Sequence, residues 1–344
     1  MKKLYIILLI LGLLFLTGIF AVRSVLFAPN IHIENKKVAY LDVPKNTTFS
    51  QLEKLLSPYL ISKKKFAFAS KIKRFSKAKP GRYALKNKMS NNRLINILRI
   101  GQQLEINLTF NNKNSLEDLA GSISKQIAPD STTLLKVMKD PSFLQKNGFT
   151  PETALLMYIP DTYRFYYNTT AEKFRDKMLA AYKKFWNANR VTLAKKQGLT
   201  PIKAGILASI VQKESTKKDE LARIAGVYLN RLKNNWLLEA DPTVVYAYQQ
   251  KYGKDIIIRR VINKHKAVVS PYNTYKNAGL PPGPICMPDV RSIEAVLQPE
   301  KHDYFFFVAD FKRPGYHIFN KSLSQHNRDA NKYHNKLNQD RIFH

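Results

Sequence analysis

The sequence predicts an α+β protein of more than one domain, carried on a single N-terminal membrane-spanning helix. Three observations carry that reading. Leu4 to Val22 is an uncharged apolar run long enough to cross a bilayer. Lys37–Val43 and Gln103–Phe110 alternate apolar and polar residues with the period of a strand. Ser90–Gly101, Glu172–Trp186 and the stretch from Gly205 to Leu232 repeat their apolar residues with the period of a helix. At 344 residues the chain can bury a sizeable core.

The first element sets the compartment. Lys2 and Lys3 precede the apolar run, so the positive-inside rule keeps the N-terminus in the cytoplasm and sends the body across the cell inner membrane, into the periplasm. No small-x-small cleavage site precedes Arg23, and an uncleaved anchor over residues 1–22 is expected rather than a signal peptide. Residues 23–36 read as a short linker. Cys286 is the single cysteine, which excludes an internal disulfide framework and any Cys-cluster metal site. The seven histidines show no ligand spacing, and His317 and His326 are assigned to structure. No metal and no cofactor is expected.

Lys and Arg number 57 against 25 Asp and Glu, a net charge of +32. Such a balance points to anionic surroundings. An extracytoplasmic body argues against nucleic acid and leaves lipid headgroups or a peptide-bearing glycan with free carboxylates.

Residues 37–102 read as a small β-α-β-α module. Pro44 ends the first strand, and Thr48 caps a helix carrying Phe49, Leu52, Leu55 and Leu56. Pro80-Gly81 turns into Arg82–Leu85, and Ser90 caps a helix closed by Gly101. Residues 103–200 form a strand and helical connecting region, with a capping-box-like start at Ser115 and an amphipathic helix over Glu172–Trp186. Inside it, Pro160-Asp161 punctuates a turn within Ile159–Phe165, a segment expected to contribute to the last domain, residues 201–344.

In that domain Leu207, Ile210, Val211 and Glu214 share one helical face. A Glu continuing an apolar stripe is partnered or partly desolvated, and desolvation raises its pKa toward that of a general acid. The alternative is a frayed helix whose last Glu is solvated. Thr216–Asp219 restarts a helix through Leu232, and Glu239–Thr243 makes a turn before the apolar Val244–Tyr246. Ser270–Tyr275 and Gly279–Pro284 form a stiff loop. Its aromatic, Asn and Thr side chains suit sugar rings and hydroxyls, or simply build an ordinary loop. Tyr304–Ala309 is a strand with His317–Phe319 beside it, and the tail from Asn327 is helical.

Taken in order, Pro160-Asp-Thr-Tyr163, Ala208-Ser-Ile-Val-Gln-Lys-Glu-Ser215, Val227-Tyr-Leu-Asn-Arg-Leu232, Asp241-Pro-Thr243, Tyr272-Asn-Thr-Tyr275, Gly279-Leu-Pro-Pro-Gly283, Phe307-Val-Ala-Asp310, His317-Ile-Phe319 and His326-Asn327 resemble the MltG-type (YceG-like) endolytic murein transglycosylases. The matches span most of residues 37 to 335. The resemblance implies a LysM-like module over 37–102 and a mixed α/β catalytic domain. It implies a lyase that cuts the MurNAc–GlcNAc bond of nascent peptidoglycan strands and leaves 1,6-anhydro ends, with Glu214 as acid and then base. Asn230, Asp241, Thr243, Tyr272, Asn273, Thr274, Tyr275, Asp161 and Tyr163 become candidate substrate contacts. The implied partners are glycan strands, the membrane and the peptidoglycan synthesis machinery.

Two departures stand out. Gln212 occupies the position where the family usually has Glu, which leaves Glu214 as the one carboxylate of its motif. Leu155-Leu156 stand where the family has Glu-Gly. Two other readings stay open. A lysozyme-like hydrolase would use Glu214 and Asp241, its carboxylates roughly 5 to 9 Å apart. A noncatalytic, membrane-tethered wall-binding protein would need neither.

Overall fold

The computed structural model describes residues 2–339 and divides into two compact units. The first runs to Leu108 and takes in Ile123–Pro129 and Thr162–Thr170. The second holds Thr109–Ser122, Asp130–Asp161 and the chain from Ala171 on. The expected connecting region 103–200 is therefore shared between the units and is not a body of its own.

In the first unit, helix α1 (Lys2–Phe27) is followed by β1 (Val38–Val43), α2 (Phe49–Leu56), α3 (Lys63–Ile72), β2 (Gly81–Lys86) and α4 (Asn91–Ile100). The apolar part of α1, Leu4–Phe27, is 24 residues long, its most apolar stretch has mean hydropathy 2.8 and is unburied, and its length and composition suffice to cross a bilayer. The local signals act as the residues suggest. Thr48 accepts from the Gln51 amide while the Gln51 side chain returns to the Thr48 amide, and Ser90 caps α4. Gly101 closes α4 at φ 80°, a conformation that a Cβ would strain. β1 and β2 pair antiparallel, Val38 opposite Lys86 through Val43 opposite Gly81. One face of this hairpin joins Leu52, Leu56, Phe66, Leu94 and Leu98 in the unit's core.

The expected linker is corrected. α1 continues past Val22 through Arg23 to Phe27, and Val25 and Leu26 pack against that core. The next residues are embedded in it: Asn30 and Ile31 are buried. Asn30 Nδ2 donates to Asn91 Oδ1 at 2.8 Å, its Oδ1 accepts from the Ser62 amide at 2.8 Å, and Asn91 Nδ2 donates to the Val25 carbonyl at 2.8 Å. Buried amides of this kind stay only because each is paired. The reason the linker reading failed is therefore packing: no slack separates the helix from the module.

β3 (Glu105–Phe110) pairs with β4 (Asp161–Tyr166), so the polar Asp161-Thr-Tyr is a strand and not the turn expected from Pro160-Asp161. Between them lie α5 (Leu116–Ser124), α6 (Ser131–Met138) and α7 (Pro141–Lys146).

The second unit is built around α10. After α8 (Ala171–Phe185) and α9 (Ala188–Lys196) come α10 (Pro201–Glu214), α11 (Leu221–Lys233), α12 (Asp241–Tyr252), the short α13 (Asn263–Lys266) and α14 (Val290–Leu297). A hairpin of β5 (Phe306–Ala309) and β6 (His317–Asn320) and the helix α15 (Leu323–Gln339) follow. The reading of 201–344 as one domain extends past the last described residue. Every residue of α10 from Ala204 to Val211 is buried, so the helix is wrapped on all sides, with α9, α11, α12 and α14 packed on it. Gly205 permits a further contact: a Cβ there would come within 2.9 Å of Leu156.

Candidate active site

Glu214 is the last residue of α10. The chain turns extended at Ser215 (φ −143°, ψ 143°), so the carboxyl stands one turn beyond the buried stretch of the helix, just where the core opens. It reaches a cavity of about 1680 Å³ within the second unit, lined also by Tyr228, Arg231, Glu239, Asp241, Tyr275, Phe307 and His317.

α11 supplies the partner. Leu221, Ile224, Ala225 and Tyr228 fall on the buried side of that helix, which carries the Tyr228 hydroxyl to Glu214 Oε1, to which it donates a hydrogen bond. Burial pushes the Tyr228 phenol well above its ordinary range, so it stays protonated and keeps the proton that it donates to Glu214. Burial also pushes the Glu214 carboxyl up to about 7. The Tyr228 hydrogen bond and the Arg231 charge pull the other way, while Asp241 adds to the rise. At neutral pH Glu214 is poised between acid and base. Arg231 is held by the carbonyls of Phe305, Leu237 and Leu238 and by Glu239, which fixes its charge beside the site.

Asp241 opens α12. Glu239–Thr243 is thus a helix start and not the expected turn, because Pro242 occupies a first-turn position where a missing N–H costs nothing. Asp241 is exposed and accepts from the Tyr275 hydroxyl at 2.7 Å. Burial, followed by Asp241 itself, raises the Tyr275 phenol.

Of the candidate contacts, the cavity wall brings together Glu214, Asp241 and Tyr275. Others serve the scaffold. Thr243, Asn273 and Thr274 are at most 1% exposed. Thr243 Oγ1 and Thr274 Oγ1 share a hydrogen bond of 2.8 Å, and Thr274 accepts from the Ala240 amide at 3.0 Å, which fixes the start of α12. Asn273 Nδ2 donates to the carbonyls of Lys266 and Val268, and Asn230 Nδ2 to those of His302 and Tyr304. These hydrogen bonds give the four side chains a part in holding the backbone around Asp241 and Tyr275. The Tyr272 ring lies 4.7 Å from that of Tyr246, tilted by 49°. Asp161, exposed at the start of β4, does not line the cavity, and Tyr163 falls in the first unit. Gln212 points into the scaffold, where its Oε1 accepts from the Asp289 and Asn112 nitrogens.

Among the wall residues that the sequence reading did not name as candidates are Tyr228, Arg231 and His317. Tyr228 had a legible signal, a phenol on the apolar period of α11. His317, like His326, was assigned to structure and lines the cavity instead. Among the described residues, no three His, Cys, Asp or Glu side chains gather as a metal site would.

A YceG-like family profile matches residues 41–332. An endolytic murein transglycosylase of Bacillus subtilis (strain 168) is 30% identical over 345 residues, covering 95% of this chain and 93% of that protein. One from Streptococcus pneumoniae (serotype 2, strain D39) is 28% identical over 90% of this chain, which spans 61% of that relative's length. The crystal structure of a YceG-like protein from Listeria monocytogenes aligns with TM-score 0.56 and 29% identity, covering 86% of this chain and 99% of that one.

Proposed function

The chain belongs to the YceG-like family, and on that premise we propose that it is a membrane-anchored peptidoglycan transglycosylase that cuts inside nascent glycan strands with Glu214 as acid and base. The observation that carries this is the single desolvated carboxyl at the end of α10, hydrogen-bonded to Tyr228 and within the field of Arg231. Protonated, Glu214 delivers its proton to the oxygen linking MurNAc to GlcNAc as that bond breaks. The resulting carboxylate is stabilised by the Tyr228 hydroxyl and Arg231. It then takes the proton of the muramoyl 6-hydroxyl while O6 closes on C1. The product is a 1,6-anhydro end, no water is consumed, and Glu214 is restored to its acid form. A second carboxylate is not required.

The test is the mass of the fragments from purified glycan. Ends lighter by one water than hydrolytic ends support the reading. Reducing muramoyl ends alone would sink it and turn attention to Asp241 as the second carboxylate of a hydrolase.

Within the same proposal, α1 is the anchor, with its N-terminus in the cytoplasm and both units beyond the membrane, close to newly made strands and to the machinery that synthesises them. Lys2 and Lys3 support that orientation. Protease added outside sealed cells should digest the body, and full protection would reverse the orientation. The β1–β2 module is read as LysM-like and glycan-holding, a role that failure to sediment with insoluble glycan would remove.

A further inference from the structure

The β5–β6 hairpin brings to the cavity a side chain that the proposed chemistry does not use. His317 stands on β6 with 14% of its side chain exposed and lines the same cavity as Glu214. Behind it lies Glu220, 3% exposed, which precedes α11 and makes no side-chain cap there. Its carboxylate turns to the hairpin instead. Oε1 accepts from the His317 amide at 2.9 Å, and Oε2 lies 3.0 Å from Nδ1. The same Oε2 accepts from the Ser215 hydroxyl at 3.5 Å, which ties this pair to the residue after Glu214.

With Nδ1 held by the carboxylate, the ring nitrogen left over is Nε2. Among the described residues it has no protein partner, and it is not one of the buried unpaired atoms, so it is open to the cavity. Phe307 stands beside it on β5. The Phe307 ring is 5.2 Å from the imidazole and 5.9 Å from the ring of Tyr228, so His317 is one aromatic ring removed from the partner of Glu214.

We propose that Phe307 and His317 form a saccharide subsite, in which Nε2 meets a sugar hydroxyl while Phe307 offers its apolar surface to the same ring. The inference rests on the glycan reading above and extends it to a sugar beyond the bond being cut. A hydroxyl is the ligand that fits. It donates to a neutral Nε2 and accepts from a charged one, so the contact survives either state of the imidazole. An anionic group would meet the Glu220 carboxylate directly behind the ring, which a hydroxyl does not have to overcome. An apolar ring surface with a few convergent polar atoms is how proteins hold small polar ligands in clefts.

The experiment uses the full chain in detergent carrying Glu214→Gln, so that bound glycan is not turned over. Calorimetry then compares its affinity for long uncrosslinked glycan strands and for single disaccharide–peptide units, with and without His317→Gln or Phe307→Leu. Loss of one hydrogen bond should weaken long-strand binding by roughly 3- to 10-fold while single units bind as before. Glu220→Gln, which loosens the imidazole without removing it, should give a smaller loss. Unchanged long-strand affinity at an unchanged melting temperature would overturn the subsite. So would an equal loss for both ligands together with a lowered melting temperature, since that marks the pair as a brace. If the Glu214→Gln parent binds no glycan at all, the functional reading fails first and takes the subsite with it.

Discussion

Two helix ends meet at the cavity, and each delivers a carboxyl group into different surroundings. Glu214 closes α10, at the negative end of the helix dipole and at the edge of a helix buried on every side. Asp241 opens α12, at the positive end, exposed and hydrogen-bonded to Tyr275. The difference teaches how one cavity can keep one carboxyl ready to give a proton and leave another in solvent: environment sets the role, not residue type.

The largest expected effect is on turnover. Glu214→Gln should lose roughly 10³-fold or more, because the amide keeps the shape but has no proton to deliver. Asp241→Asn should lose less than about tenfold. Rates of fragment release from purified strands measure both, and equal losses would erase the contrast between the two ends.

Stability comes next, with the opposite sign. Glu214 titrates near 7 in the fold against an ordinary value near 4.5. Below pH 4.5 it is protonated whether folded or not, and its ionisation costs nothing. As pH rises through the interval to 7 the unfolded chain ionises first, so the wild type loses stability, and above 7 the loss is complete. Glu214→Gln removes this penalty. It should melt like the wild type at pH 4.5, and at pH 8 it should gain on the order of 2–3 kcal/mol, allowing for the carboxyl's partial exposure to the cavity. Melting at both pH values decides it; a variant less stable at pH 8 would mean the carboxylate is not strained by its burial.

The smallest effect is a shift of the pH profile. Activity should fall as pH rises through about 7, as the acid form of Glu214 is lost. Asp241 helps to raise Glu214, so Asp241→Asn should move that limb to lower pH by a fraction of a unit. A limb that stays in place would uncouple the two ends.

How much of this could be read beforehand depends on the range over which each signal acts. Thr48, Ser90 and Gly101 act within a few residues, and the helices they start and stop were legible. So was the apolar stripe of Leu207, Ile210 and Val211 that leads to Glu214, although not that the helix ends there. The strand character of Asp161–Tyr166 was not, because it comes from pairing with β3, far away in the chain. Nor was the role of His317, whose partner Glu220 lies 97 residues earlier. The candidate sugar contacts Asn230, Asn273 and Thr274 illustrate the same limit. A polar side chain looks alike in the sequence whether it faces a ligand or a backbone carbonyl, and only the folded path separates the two.

The join between α1 and the first unit has a mechanical meaning. Asn91 grips the Val25 carbonyl, Val25 and Leu26 pack against the core, and Ile31 is sealed within it. With α1 across a bilayer, the first unit is a handle welded to a shaft rather than a weight on a string. A helix whose apolar length exceeds the local hydrocarbon thickness tilts to fit. In the orientation proposed above, that tilt would be passed to the first unit, and membrane thickness would set the angle at which it stands.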